Sequence, residues 1–313
     1  MASEMATTPK GDDDGRSAAM MAAFAGLVTI LIWSGNTIVT KASADVIAPA
    51  SIAFYRWLIA FIVLTPFVAK AVWRDRRLAL GHWHRLFLLA MLGMVTYQSL
   101  AYEAAKTTTA VNMGVLVALM PLIAAFAAAA IAGERLTPAR LLGAAVSLFG
   151  VAYLISHGDP AVILRDGFRI GDALMIVAVA ANAFYGVFLR RWPMPFSLWQ
   201  QLWWQIGFST LVLLPLWLLS DISALNAQNL PLVLYAALPT SLIAPYCWIF
   251  AVRGLGAART TLFLNLLPPI VAGLAALLLG EQLQLFHLIG GGLAIAGVLI
   301  GMRRAPVRVE PLR

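Results

Sequence analysis

Side chains able to hold a small polar or aromatic molecule stand at helical spacing inside apolar runs of this chain. Trp33, Asn36, Thr37 and Thr40 follow an i, i+3, i+4, i+7 pattern and share one helix face. Met94, Gln98, Ala101 and Tyr102 form a second such face, with Tyr97 beside it. Asn112, the trio Asn182, Tyr185 and Gly186, the pair Tyr246 and Trp248, and Asn265 lie in further apolar runs. Together they offer aromatic stacking, amide donors and acceptors, and hydroxyls. Polar groups in a lipid-spanning helix are costly unless they face a bundle interior or a wet cavity. A binding cavity and hydrogen bonding between helices both satisfy that demand, and both readings stay open for each residue. Trp203 and Trp204 also suit an interfacial belt.

Arg56 is the one basic residue deep in an apolar run. An arginine at a helix centre costs about 2.5–3.5 kcal/mol on insertion scales, so it needs a carboxylate, carbonyls or water. Glu103 is the candidate partner within the chain, and a solute carboxylate is the other possibility. Pro121, Pro268 and Pro269 remove helix hydrogen bonds within apolar runs and so mark places where a helix can bend or gate. Glu134 and Glu281 fall at helix ends and read as loop anchors, not proton carriers. Asp45, Glu103 and Asp172 all stand near the ends of runs. No phosphate loop, zinc-type histidine spacing or Gly-x-Ser-x-Gly motif is present, so the expectation is no enzyme, no catalytic residue, no metal and no cofactor. Lone Cys247 can form no disulfide within the chain.

The elements that position these residues follow from composition. Of 313 residues, 61% are hydrophobic and 12% charged, with a mean hydropathy of +0.85. A soluble domain is about half apolar and about a quarter charged. The hydrophobic content suffices for roughly nine or ten spans of ~20 residues. Apolar runs fall at 18–40, 47–69, 85–104, 109–132, 138–156, 169–190, 196–219, 230–252, 257–280 and 283–302. The predicted fold class is an all-α membrane protein of ten transmembrane helices around a central cavity. With the N-terminus inside, seventeen Lys and Arg fall on the inner side and four (Lys41, Lys106, Arg165, Arg169) on the outer side. That bias predicts both termini inside, and it accounts for the net charge of +8 without nucleic acid.

An internal repeat organises the spans. Residues 116–155 align with 263–302 at a constant offset of 147, and thirteen of the forty positions are identical. Pro121 matches Pro268, Gly133-Glu134-x-Leu136 matches Gly280-Glu281-x-Leu283, and Gly143 and Gly150 match Gly290 and Gly297. Each half then holds five spans. An odd number turns the second copy upside down, the inverted repeat of secondary transporters, with a substrate site near the midplane. Gly143, Ser147 and Gly150, and Gly290, Ala294, Gly297 and Gly301, form small-residue stripes suited to close helix packing.

These motifs resemble the drug/metabolite transporter superfamily, EamA type, with ten spans, over about 18–302. The resemblance rests on Trp33-Ser34-Gly35-Asn36, Arg56, Ala101-Tyr102 through Thr109-Ala110, and Pro121…Gly133-Glu134-Arg135-Leu136 with its second copy. It implies a disordered cytoplasmic tail (1–17), two EamA repeats (18–156 and 169–302) and a basic cytoplasmic tail (303–313). It also implies a bacterial inner-membrane location, no cofactor, and similarity to exporters of amino acids, aromatic ones among them. The expected partners are a small-molecule solute and the lipid bilayer. The expected cavity residues are Trp33, Asn36, Thr37, Tyr97, Gln98, Tyr102, Asn112, Asn182, Tyr185, Tyr246 and Asn265. A sugar-phosphate or nucleotide-sugar carrier is the rival, but it would call for several basic residues in the cavity where the sequence offers Arg56. A channel is a further alternative.

Overall fold

The computed structural model describes residues 10–132, 137–159, 169–255 and 260–301. Among these residues every regular element is helical. Ten rods follow in chain order. They are α1 (Lys10–Ala42), α2 (Pro49–Gly81) and α3 (Trp83–Ala90, a π-type stretch Met91–Thr96, then Tyr97–Ala104). Next come α4 (Ala110–Val117 and Met120–Ala132), α5 (Pro138–Ile155), α6 (Ile170–Arg191) and α7 (Leu198–Leu218). The last are α8 (Leu230–Ala237, a π-type stretch Pro239–Ile243, then Ala244–Leu255), α9 (a 3₁₀ stretch Thr261–Leu266, then Leu267–Leu279) and α10 (Leu285–Gly301). Helix α1 starts at Lys10, ahead of the boundary expected at 18. The tails 1–9 and 303–313, and the Gly133-Glu134-Arg135-Leu136 segment, lie outside the described residues.

Among the described residues, six helices are long and apolar enough to cross a membrane, and three shorter apolar ones accompany them. Their outer faces carry large apolar side chains: Phe67, Leu219 and Leu277 are 82%, 87% and 82% exposed. Apolar exposure on this scale is stable only against hydrocarbon. In hydrocarbon every backbone N–H and C=O needs an internal partner, which selects helices.

Local chemistry sets the ends. Pro49 opens α2, where its missing N–H costs nothing. Ser197 and Gln200 close a reciprocal capping box at the start of α7. Gly280 ends α9 at φ 68°, a left-handed geometry that glycine adopts freely. The breaks inside α4 and α9 fall beside prolines. Helix α4 stops at Val117, four residues before Pro121, and Pro268 and Pro269 follow the 3₁₀ stretch of α9.

The helix pairing repeats under exchange of the halves. Helix α1 packs on α8 and α9, and α6 packs on α3 and α4. The pairs α2–α7, α4–α9 and α5–α10 each join a helix to its own counterpart. The last pair is the closest. A Cβ on Gly143 would press on the backbone of Gly301 and Gly297, and one on Gly290 would press on Gly150 and Leu154. Likewise Gly297 abuts Ser147, and Gly150 abuts Ala294. The two helices therefore run antiparallel. The 147-residue offset turns the contact 143–301 into 290–154, and 147–297 into 294–150. Ser147 and Ala294 are themselves counterparts, and the Ser147 hydroxyl donates to the Ala294 carbonyl at 3.0 Å. A pseudo-twofold axis runs through that bond, perpendicular to both helices.

This packing predicts unequal tolerance among the glycines of α5 and α10. A Cβ at position 150 would lie 2.5 Å from the Ala294 backbone nitrogen, whereas nothing lies within 4 Å of one at 292. Gly150→Ala is expected to destabilise the purified protein by about 1–3 kcal/mol. Gly292→Ala is expected to be neutral or slightly stabilising. Thermal melts in detergent decide, and equal melting temperatures for the two variants would contradict the contact.

Candidate functional site

Arg56 is 2% exposed on α2. Its Nε donates to the Ser241 hydroxyl at 2.9 Å and its Nη1 to the Tyr102 hydroxyl at 3.2 Å. The guanidinium also lies 4.9 Å from the centre of the Trp57 ring. Ser241 belongs to the π-type stretch of α8 and donates to the Ala236 carbonyl, five residues back. The wider turn re-aims one hydroxyl at the arginine. Arg56 thus joins the first half, through Tyr102, to the second, through Ser241.

The expected pairing of Arg56 with Glu103 does not form. Glu103 is exposed and pairs with Lys106 at 2.9 Å. Successive helix residues are turned by about 100°, so placing Tyr102 inward sends Glu103 outward. Among the described residues the Arg56 charge has only neutral partners. A cation–π contact returns about 0.5–2 kcal/mol, against a desolvation penalty of several kcal/mol per buried ion. The imbalance favours an anion from outside the chain.

Around this charge the other expected residues divide between distinct contacts. Trp33 packs on Trp248 with ring centres 5.3 Å apart. Tyr185 donates to the Gln205 side chain at 3.3 Å, and its ring lies against Gly93, where a Cβ would stand 2.7 Å away. Asn182 reaches Met120 Sδ at 3.4 Å. Thr37 donates back to the Trp33 carbonyl of its own helix. Tyr97 and Asn265 are half-buried. The buried oxygens Asn36 Oδ1 and Gln98 Oε1 have no partner, nor has Gln201 Nε2. Such unsatisfied groups are rare in packed interiors and point to water or solute.

Tyr246 departs from expectation. It is 52% exposed and stacks flat on Trp199 at 5.6 Å on the flank of the bundle. Trp248, two residues and about 200° further round the helix, faces Trp33 instead. Sequence reasoning also missed Ser241, Gln201 and Gln205. The two glutamines stand four apart on a mostly apolar helix, a visible signal. Ser241 carries no such signal, because its role comes from the π-type stretch.

One end of the bundle is tied by polar contacts. Glu281 accepts from the Ala110 and Val111 N–H groups at 2.8 and 3.2 Å, so it caps α4 and anchors its own loop. Lys41 donates to the Ala105 carbonyl at 2.7 Å. Ser223 exchanges bonds with Ala48, Ser51 and Tyr55. Asp172, 1% exposed, accepts on Oδ1 from the Thr108 hydroxyl and from Asn112 Nδ2, while its Oδ2 has no partner. Asn112, expected in the cavity, is therefore committed to this end. The α6 N-terminus returns about 0.3–1 kcal/mol to the Asp172 charge, against several kcal/mol for desolvating it.

Comparison with known proteins shows what these features accompany. The EamA-like transporter family model matches residues 20–156 and again 169–302. An uncharacterized transporter of Archaeoglobus fulgidus is 28% identical over 279 residues, 87% of this chain and 94% of its own. The uncharacterized transporter YyaM of Bacillus subtilis is 25% identical over 299 residues, 90% of this chain and 94% of its own. A protein of Streptantibioticus cattleyicolor named "Probable terminal-alkyne amino-acid exporter" is 27% identical over 283 residues, 90% of this chain and 94% of its own. A solved crystal structure superposes with a TM-score of 0.59 at 19% identity, covering 90% of this chain and 96% of that one, which establishes a common fold.

The division of the two aromatics on α8 yields a test. Trp248→Ala is expected to raise the KM for a transported solute by about tenfold, ~1.4 kcal/mol. Tyr246→Ala is expected to change it less than about twofold. Counterflow kinetics measure both, and the reverse order would refute the assignment.

Proposed function

The chain belongs to the EamA-like transporter family, and on that premise we propose that it exports amino acids, aromatic ones included, and related small metabolites by alternating access. It is a multi-pass membrane protein that moves small solutes and is not an enzyme. In this reading 18–156 and 169–302 are inverted five-span repeats with both termini cytoplasmic, in the inner membrane of a bacterial cell. The antiparallel α5–α10 pair and the Lys and Arg bias support that arrangement. The breaks at Pro121, Pro268 and Pro269 supply the bending points.

The observation that carries the reading is Arg56: a buried guanidinium between the halves, with two neutral partners and no carboxylate among the described residues. A guanidinium fork matches a carboxylate bidentately. An α-amino acid brings that carboxylate together with an ammonium, which finds acceptors in Asn36 Oδ1 and Gln98 Oε1. Its side chain meets the rings of Trp33, Tyr97, Tyr102, Tyr185 and Trp248. The relative named as an amino-acid exporter points to the same solute chemistry.

Counterflow in proteoliposomes with a panel of labelled amino acids tests the proposal. Saturable exchange is expected, inhibited by amino acids and not by the corresponding decarboxylated amines. Arg56→Gln is expected to lower kcat/KM by about tenfold or more, at least ~1.4 kcal/mol, and to erase the preference for the carboxylate. Absence of saturable flux across the panel, or an unchanged preference in Arg56→Gln, would sink the proposal.

A further inference from the structure

We propose that Asp172, Asn112 and Thr108 form a binding site for one monovalent cation, a proton or Na+, whose gradient drives the carrier. The inference rests on the transport reading above and adds its coupling ion. Three observations carry it. Asp172 is 1% exposed and Asn112 2% exposed, and each leaves an oxygen without a partner, Asp172 Oδ2 and Asn112 Oδ1. The two side chains are already joined, with Asn112 Nδ2 donating to Asp172 Oδ1 at 3.3 Å and the Thr108 hydroxyl donating to the same oxygen. Oxygen donors of this kind, one carrying a full negative charge, are what a hard cation binds.

No positive charge of the chain reaches Asp172 among the described residues. Helix α6 packs on α3 and α4. On α3, Glu103 pairs with Lys106 of the following turn, Tyr102 accepts from Arg56, Tyr97 is half-buried further along, and His84 and Arg85 stand at the opposite end. Helix α4 has no titratable residue. On α6 itself, Arg169 is exposed at the N-cap, and Tyr185 donates to Gln205. Lys41 and Glu281 are held by backbone groups. Two neutral donors and the α6 N-terminus compensate the Asp172 charge only in part, and a cation bound at Oδ2 would supply the rest.

The position gives the site leverage on the conformational cycle. Thr108 and Asn112 belong to the first half and Asp172 to the second, so a cation here bridges the halves at the end already tied by Lys41 and Glu281. The site has no counterpart across the pseudo-twofold, where Ala25 stands at the position equivalent to Asp172. A cation therefore stabilises contact at one end only. Differential binding of that kind is what shifts a two-state equilibrium.

Because export against an inward cation gradient is exchange, solute accumulation is measured in proteoliposomes under an outward Na+ gradient at equal pH, under an outward proton gradient without Na+, and with choline in place of Na+. The expected result is stimulation by one of the two cations in the wild type, lost in Asp172→Asn. In Thr108→Val a higher cation concentration is needed for half-maximal stimulation. Wild-type counterflow that ignores both gradients would overturn the inference and leave the carrier reading standing. A second readout needs no transport: the melting temperature of purified protein, titrated with Na+ against choline and separately with pH. The wild type is expected to respond to one of them in a way that Asp172→Asn does not. Identical responses of the two proteins would overturn the site even if no solute were ever found.

Discussion

The close antiparallel contact of α5 and α10 is the constraint on which the arrangement of the halves depends. Without a hydrophobic force between helices in lipid, association relies on packing and hydrogen bonds at short range. Gly143, Gly150, Gly290 and Gly297 let the two backbones meet, and the Ser147–Ala294 bond lies on the axis that relates them. Every larger pairing obeys the same axis. The pairs α1–α8 and α3–α6 are counterparts, and α2–α7 and α4–α9 cross it. One rigid seam thus fixes how the movable rods face each other.

The irregular turns follow the symmetry too. The π-type stretches Met91–Thr96 and Pro239–Ile243 fall at equivalent positions under the 147-residue offset. The breaks at Pro121 and Pro268 are likewise counterparts. These are the points where backbone bonding is weakest, so they are where a helix rotates or bends at least cost. Gly93 admits the Tyr185 ring in one stretch, and Ser241 of the other meets Arg56. Bending there would move side chains that face the interior directly.

Charge breaks the symmetry. Arg56 has Trp203 as its counterpart, and Asp172 has Ala25. Among the described residues, the two buried ions with no partner of opposite charge, one of each sign, therefore stand where the halves differ. A duplicated scaffold supplies two equivalent conformations, and unpaired charges at non-equivalent points supply the difference in ligand affinity between them. The polar ties of Glu281, Lys41 and Ser223 collect at the Asp172 end, so that end is held by several directional bonds while the α5–α10 seam is held by close contact and the Ser147–Ala294 bond.

Much of this was legible from residues alone. Apolar runs located the rods because lipid demands about twenty apolar residues in each. The 147-residue offset exposed the repeat, and an arginine in an apolar run announced a site. The ties that give those residues their roles were not legible. Whether Tyr246 or Trp248 faces Trp33 depends on the rotation of α8, which its neighbours and its π-type stretch set. That Glu103 turns outward follows from which face of α3 packs inward. That Asp172, a helix-end carboxylate by position, is buried follows from the α3–α4 turn that covers it through Thr108. The sequence by itself determined the solvent, the helices and the duplication, because these depend on composition and period. Only the tertiary structure decided which polar groups meet, because burial and hydrogen bonding are properties of pairs brought together from distant parts of the chain.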